Sequence, residues 1–261
     1  MSIVTIDDSY LTAIGNAIRA KNGTTTTYKP NEMAAAISAI ETGDSGLLLS
    51  AYWNDTITGA ISDDTIIKIP YSAFTSYSST GGVKREITSA SFSNVLTVES
   101  NAFYGNPTIQ TIYLPNATSV GSDVCYQCRA LESFIAPKAT FKTLSRDSLA
   151  DLTHQTPPSN DQSDSFLGCV SLKKIDLYDV DYTFYPRFFD RCDALETVIL
   201  RKTSGLVGTG YYSYPTLGPN NCYIYVPASL LAEYQASEHW EGKASRLRAI
   251  EDYPEITGGA I

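Results

Sequence analysis

Ile109-Gln-Thr-Ile112-Tyr-Leu114 and Leu131-Glu-Ser-Phe134-Ile-Ala136 are two copies of one phrase, with apolar residues at its first, fourth and sixth places. The same phrase stands in Ile87-Thr-Ser-Ala90-Ser-Phe92, Leu172-Lys-Lys-Ile175-Asp-Leu177 and Leu195-Glu-Thr-Val198-Ile-Leu200. From Ile87 to Ile109 to Leu131 the step is 22 residues each time, and from Leu172 to Leu195 it is 23. A unit this short cannot bury its own apolar face, so a fixed period of this length predicts a solenoid in which each repeat stacks on its neighbours. Leu172, Ile175, Leu177, Leu195, Val198 and Leu200 are therefore expected between stacked turns. Solenoids make binding surfaces more readily than reaction chambers.

Each phrase is preceded by a second marker. Phe74, Phe103, Phe166 and Phe189 follow Ala73, Ala102, Ser165 and Phe188, and three residues after three of these aromatics come Asn106, Cys169 and Cys192. Cys125 and Cys128 fill the same two places in the repeat between. After two of the strands comes Pro115 or Pro137, which cannot donate to a sheet ladder. The stretches AFYGNPTIQTIYLP, SFLGCVSLKKIDLY and FFDRCDALETVILR resemble the BspA-like class of bacterial leucine-rich repeats. The resemblance extends from about residue 60 to 252. Its last part, Tyr225-Val-Pro-Ala-Ser-Leu-Leu-Ala-Glu-Tyr234 with Trp240 and Ser245-Arg-Leu-Arg-Ala-Ile250, resembles the helical cap that closes many members.

A separate stretch, YLTAIGNAIRAKNGTTTTYKPNEMAAAISAI, is similar to a short helical segment near the start of many bacteriophage and prophage tail-associated proteins. Asp7 or Asp8 can cap a first helix, with Leu11, Ile14 and Ile18 on one face, and Asn22-Gly23 ends it. Pro30 suits the first turn of a second helix lined by Met33, Ile37 and Ile40. Six large apolar side chains are too few to hold such a hairpin alone, so these are read as attachment helices that dock on a partner or self-associate.

The whole is expected to be an α+β repeat solenoid, a leucine-rich repeat stack of short parallel strands. Its parts are an attachment segment (1–42), a linker and irregular cap strands (43–86), the repeats (87–226), a C-terminal helical cap (227–252) and a tail (253–261). Gly43-Asp-Ser-Gly46 reads as the linker, while Leu47–Tyr52 and Thr65–Ile69 have strand composition. The repeat is disturbed between Leu131 and Leu172, where Leu149 stands at the aromatic place and His154-Gln-Thr-Pro-Pro-Ser-Asn-Asp161 cannot form a central strand. A second excursion, Lys202–Asn221, carries Tyr211, Tyr212 and Tyr214. Both excursions are expected to be exposed loops.

Composition narrows the partners. A formal charge of −9 and a pI near 4.7 argue against a nucleic-acid phosphate backbone. No stretch approaches the roughly 20 apolar residues of a membrane span. The N-terminus lacks the basic and apolar regions of a secretory leader. Such a chain stays inside the cell, has lost its leader, or leaves by another route such as a virion.

The five cysteines are odd in number, and Cys128, Cys169 and Cys192 share one repeat position, where they are expected to form a buried ladder of small apolar side chains. Cys125-x-x-Cys128 lacks the second pair a zinc site needs, and disulfides would require adjacent repeats. His154 and His239 have no partner motif, and Asp63-Asp64 lies in turn-like context. No catalytic motif stands in the sequence. An enzyme is not expected, and no cofactor or metal is implied.

Strand side chains alternate, so the third and fifth places of the phrase are expected to face outward. The fifth places include Tyr113, Ile135, Asp176 and Ile199, with Tyr225 in the last strand. Tyr113, Ile135, Ile199 and Tyr225 are expected to form an exposed apolar stripe, with Tyr211, Tyr212 and Tyr214 as a second patch. The 18 tyrosines suit sugar or protein contacts through an apolar ring with a polar tip. Together these features imply a non-enzymatic phage or prophage virion component that binds a host surface protein, a glycan or a neighbouring virion structural protein. It would be a homo-oligomer or docked on a larger assembly. The alternatives are a bacterial cell-surface adhesin and an intracellular protein-binding scaffold.

Overall fold

The computed structural model describes residues 57–75, 86–142, 164–180, 188–207, 219–240 and 242–258, all within one unit, Gly46–Ile261. The six attachment-helix residues from Leu11 to Ile40, the Leu47–Tyr52 stretch, Leu149, His154 and Tyr211, Tyr212 and Tyr214 lie outside the described residues.

The repeat phrase forms the main sheet. β1 (Thr58–Ser62), β3 (Glu86–Ser91), β5 (Thr111–Tyr113), β7 (Ser133–Phe141), β8 (Lys174–Val180), β9 (Thr197–Leu200), β10 (Tyr223–Val226) and β11 (Leu247–Ala249) lie side by side in that order. Every pairing is parallel, as a stack of right-turning repeats requires. The register places Ala90, Ile112, Phe134, Ile175, Val198 and Ile224 in one row, all between 0 and 1 % exposed. The six core residues named from Leu172 to Leu200 are fully buried, as the phrase requires.

Two features differ from expectation. The ladder begins at β1, inside the segment expected to be an irregular cap, because Ile57 and Ile61 already bury a repeat-like face. At the other end, helix α1 (Ala228–Ala236) follows β10 and buries Leu230 and Tyr234. The chain then returns through two 3-10 turns to add β11. The segment read as a helical cap thus also supplies β11.

A second, narrower ladder turns the corner. β2 (Lys68–Ile69), β4 (Thr97–Val98) and β6 (Ser119–Val120) pair in sequence and continue onto the far ends of β7 and β8. The third side is a column of turns carrying the aromatic marker. Its backbone links successive repeats: Phe74 N donates to Ala102 O, Phe103 N to Val124 O, Cys125 N to Ser165 O and Phe166 N to Phe188 O. Two places after the marker the backbone is left-handed in four repeats, at Gly105, Gln127, Gly168 and Arg191, with φ of 65°, 55°, 77° and 59°. Inside, the rings stack, with Phe74–Phe103 centroids 5.3 Å apart and Phe166–Phe189 5.7 Å apart.

Beside the rings runs the expected cysteine ladder, which Asn106 extends and which is hydrogen-bonded as well as apolar. Asn106 Nδ2 donates to Phe74 O at 3.2 Å, Cys128 Sγ to Phe103 O at 3.0 Å, Cys169 Sγ to Cys125 O at 3.1 Å and Cys192 Sγ to Phe166 O at 3.2 Å. Each side chain bonds the marker carbonyl of the preceding repeat; at Phe103, Cys125 and Phe166 that oxygen also accepts the N–H of Asn106, Cys128 or Cys169 in its own turn, so the side chain supplies a second donor. All five cysteines are free and buried.

Candidate recognition face

The outer face of the main sheet divides into two halves. On β3, β5 and β7 it is open. Tyr113 is 48 % exposed and pairs in register with Ser91 on one side and Ile135, half-buried, on the other. Thr111 and Ser133 lie one row along. The open area is thus a floor of small hydroxyl side chains carrying Tyr113 and Ile135, as the alternation predicts.

On β8, β9 and β10 the fifth places of the phrase on the same face are covered, while Tyr223, at the phrase's third place in β10, stays 44 % exposed. The chain leaving β11 makes a 3-10 turn (Ile250–Asp252) and helix α2 (Pro254–Thr257), and Gly258, with φ of 73°, ends that helix. This strap lies on Ile199 and Tyr225, which with Ile250 form a small second core against Tyr253 and Ile256. The rings of Tyr225 and Tyr253 meet edge-on at 5.4 Å. Ile199 is fully buried and Tyr225 only 4 % exposed. The expected exposed stripe is therefore corrected: Tyr113 and Ile135 belong to it, Ile199 and Tyr225 do not. Ile250, at the end of the segment read as the cap, and Tyr253 and Ile256, in the segment read as a tail, hold enough apolar surface to cover them.

The strap is pinned by charge. Lys174 Nζ donates to Ile256 O at 2.5 Å, and Arg201 Nη2 donates to Thr257 O. Both cations thus meet the carbonyl end of α2, where the helix dipole is negative. Arg201 also grips Asp176 through two bonds, Nε to Oδ1 at 2.7 Å and Nη2 to Oδ2 at 2.8 Å. Both partners are under a tenth exposed. Burial pushes the Asp176 carboxyl above its ordinary value, and the Arg201 bonds only partly offset this. The sequence reading missed this pair by treating Asp176 as one more outward residue. Its signal was a lone acid between Ile175 and Leu177, with Arg201 directly after the next strand.

Catalytic equipment is sparse. Burial raises the Cys125 and Cys169 thiols far above their ordinary value and Cys192 and Cys222 to about 12, which makes them poor nucleophiles. Among the described residues no group of three or more His, Cys, Asp or Glu could hold a metal ion. His239 is exposed in a 3-10 turn. Asp63 Oδ1 accepts from Thr65 N and Oγ1 at 2.9 and 2.6 Å, an ordinary turn role for an aspartate. No described helix is long and apolar enough to cross a membrane.

The family comparison agrees with the repeat geometry. The family model of the BspA type leucine rich repeat region matches in six copies, over residues 50–155 and 145–217. No curated protein matches the chain. Among solved structures, the crystal structure of the pneumococcal vaccine antigen PcpA is similar at a TM-score of 0.43 and 12 % identity. That match covers 73 % of this chain, which spans 39 % of the antigen chain.

Proposed function

This chain belongs to the BspA type leucine-rich repeat family, and from that premise we propose that it is a non-enzymatic recognition protein whose open strand face meets a partner. One observation carries the reading. The molecule covers the apolar fifth positions of its later strands with its own strap, yet leaves Tyr113 and Ile135 uncovered on the same sheet. An apolar pair left open on a flat, hydroxyl-lined surface is a natural contact site.

The favoured setting is a phage or prophage particle. There the segment with Leu11, Ile14, Ile18, Met33, Ile37 and Ile40 would attach the chain to a tail or other virion protein, and the stack would face a host surface protein or glycan. This setting is supported by the resemblance of residues 6–40 described above. The second setting, a bacterial cell surface, is supported by the family itself. In either setting, α1 and the strap act as the closing structure of the stack, shielding the last repeat as terminal units of solenoids must.

The test is binding of the fluorescently labelled full chain to intact bacterial cells, with a Tyr113→Ser/Ile135→Ser variant beside it. Loss of one well-packed aromatic anchor is worth about 2 kcal/mol. The variant should therefore bind at least about tenfold more weakly while keeping its circular dichroism and melting temperature. Equal binding by the folded variant would move the contact off this face.

A further inference from the structure

Behind the strap lies a cleft of about 310 Å³ that owes its existence to a change in repeat length. The step from the end of the phrase to the second ladder is six residues in two repeats (Phe92 to Val98, Leu114 to Val120), five in the next (Ala136 to Phe141) and three in β8 (Leu177 to Val180). Opposite Tyr178, β7 therefore carries extra residues, and its register with β8 shifts between Ala136 and Thr140. Such bulges redirect side chains beside functional sites. The bulge lifts Pro137 and Lys138 into a wall, and the shortened corner leaves a depression beside it.

The residue directly after the phrase is Pro137, Tyr178, Arg201 and Pro227 in four successive repeats, and all four line the cleft. The Pro227 ring, the half-buried Tyr178 and the Arg201 guanidinium fixed by Asp176 thus make one floor beside the Pro137 wall. The far wall is the start of the strap, Ile250 and Glu251, and Thr203 stands on the rim. Glu251 is exposed, and its Oε2 accepts from Ala228 N at 2.9 Å. Lys138 is exposed, with Nζ donating to Asn116 Oδ1 at 2.8 Å.

We propose that this cleft binds a ring or two of a neutral glycan. The rings of Tyr178, Pro227 and Pro137 give the cleft an apolar surface, which suits the C–H face of a pyranose. Its charged groups cancel, Lys138 against Glu251 and Arg201 against Asp176, so the site favours neither an anion nor a cation. The rim supplies ammonium donors, carboxylate acceptors and the Thr203 hydroxyl, and sugar hydroxyls both donate and accept. The volume lies at the small end of ligand pockets, about 300–1,000 Å³. This site is distinct from the open strand face and independent of the partner proposed for it.

The experiment is saturation-transfer NMR of the full chain with maltose, lactose, cellobiose and N,N′-diacetylchitobiose at millimolar concentration. Sialyllactose and a Gly-Pro-Ala tripeptide are run in parallel. At least one neutral disaccharide should receive saturation and lose it in Tyr178→Ala. Thr203→Val, an exposed isosteric change that should leave folding intact, should weaken binding at least several-fold. Val170→Ser, at an exposed residue outside the cleft lining, should leave it unchanged. Absence of transfer to every neutral disaccharide would overturn the proposal. So would transfer that survives both Tyr178→Ala and Thr203→Val, or transfer confined to sialyllactose or the tripeptide.

Discussion

Ile135 in β7 and Asp176 in β8 are neighbours in register on the same face of the same sheet, yet they live in different environments. The strands up to β7 alternate buried and accessible residues, as in the exposed–buried–exposed pattern of Thr111–Tyr113. In β8, β9 and β10 the last three residues of the phrase are buried on both faces. A sheet covered on one side shows period-2 burial, whereas one covered on both sides loses it. The difference teaches that the repeat fixes which way a side chain points. What lies above it is decided elsewhere in the chain, by nine residues from Ile250 to Gly258.

The largest expected effect tests the charge beneath the strap. Asp176→Ala strands the buried Arg201 guanidinium and should cost about 3–5 kcal/mol in urea unfolding. Ile135→Ala, one strand away, should cost under about 1 kcal/mol. The double variant Asp176→Leu/Arg201→Met should recover most of the loss, since a buried pair is often no better than apolar residues of similar size. A double variant as unstable as the single one would mean that Arg201 acts chiefly by holding Thr257 O.

The pH dependence follows from the raised Asp176 carboxyl. A folded value above the unfolded 3.8 means that the folded state takes up this proton first, so the group favours folding as pH falls through its folded value. That contribution is lost as pH rises through the same value. The wild type should therefore gain on the double variant on the acid side.

The next effect tests the strap's apolar contact. Ile199→Ala should cost about 2–4 kcal/mol, as for a core isoleucine, although its position in the phrase is the outward one. Guanidinium unfolding of Ile199→Ala and Ile135→Ala side by side measures the difference that the strap makes. Equal, small losses would mean that the strap lifts away easily in solution and that the two halves are alike.

Much of this architecture was legible in the sequence because the repeat states it many times. The places that carry Ile112, Phe134, Ile175 and Val198 recur at a fixed period, and the marker column repeats with Phe, Asn and Cys at constant offsets. The inter-repeat bonds of Asn106, Cys128, Cys169 and Cys192 follow from that constancy. The strap was not legible, because it occurs once and its partner residues are more than fifty positions away from Arg201. A covering segment has no period, and only its three apolar residues among Glu and Asp marked it as amphipathic. The cleft was equally hidden, since it arises from the corner residues that the later repeats lack.

The smallest effect concerns the one side that should be alike in both halves. The turn column is not reached by the strap, and its left-handed position holds glycine in two repeats but Gln127 and Arg191 in two others. A side chain in that conformation costs about 1–2 kcal/mol, while glycine carries an entropic penalty of about 0.5–1 kcal/mol. Arg191→Gly should therefore stabilise the chain by roughly 0.5–1 kcal/mol. Gln127→Gly should gain less, because the Gln127 side chain lies over Gly168, where an added Cβ would meet its Cγ at 3.4 Å. Gln127 belongs to the repeat that leads into open β7, and Arg191 to the one that leads into covered β9. If thermal melts show Arg191→Gly stabilising and Gln127→Gly near neutral or mildly so, the two halves differ only on the strand face. A loss at Arg191→Gly would mean that this turn bears on the covered half, and the division between the halves would then run through the whole stack.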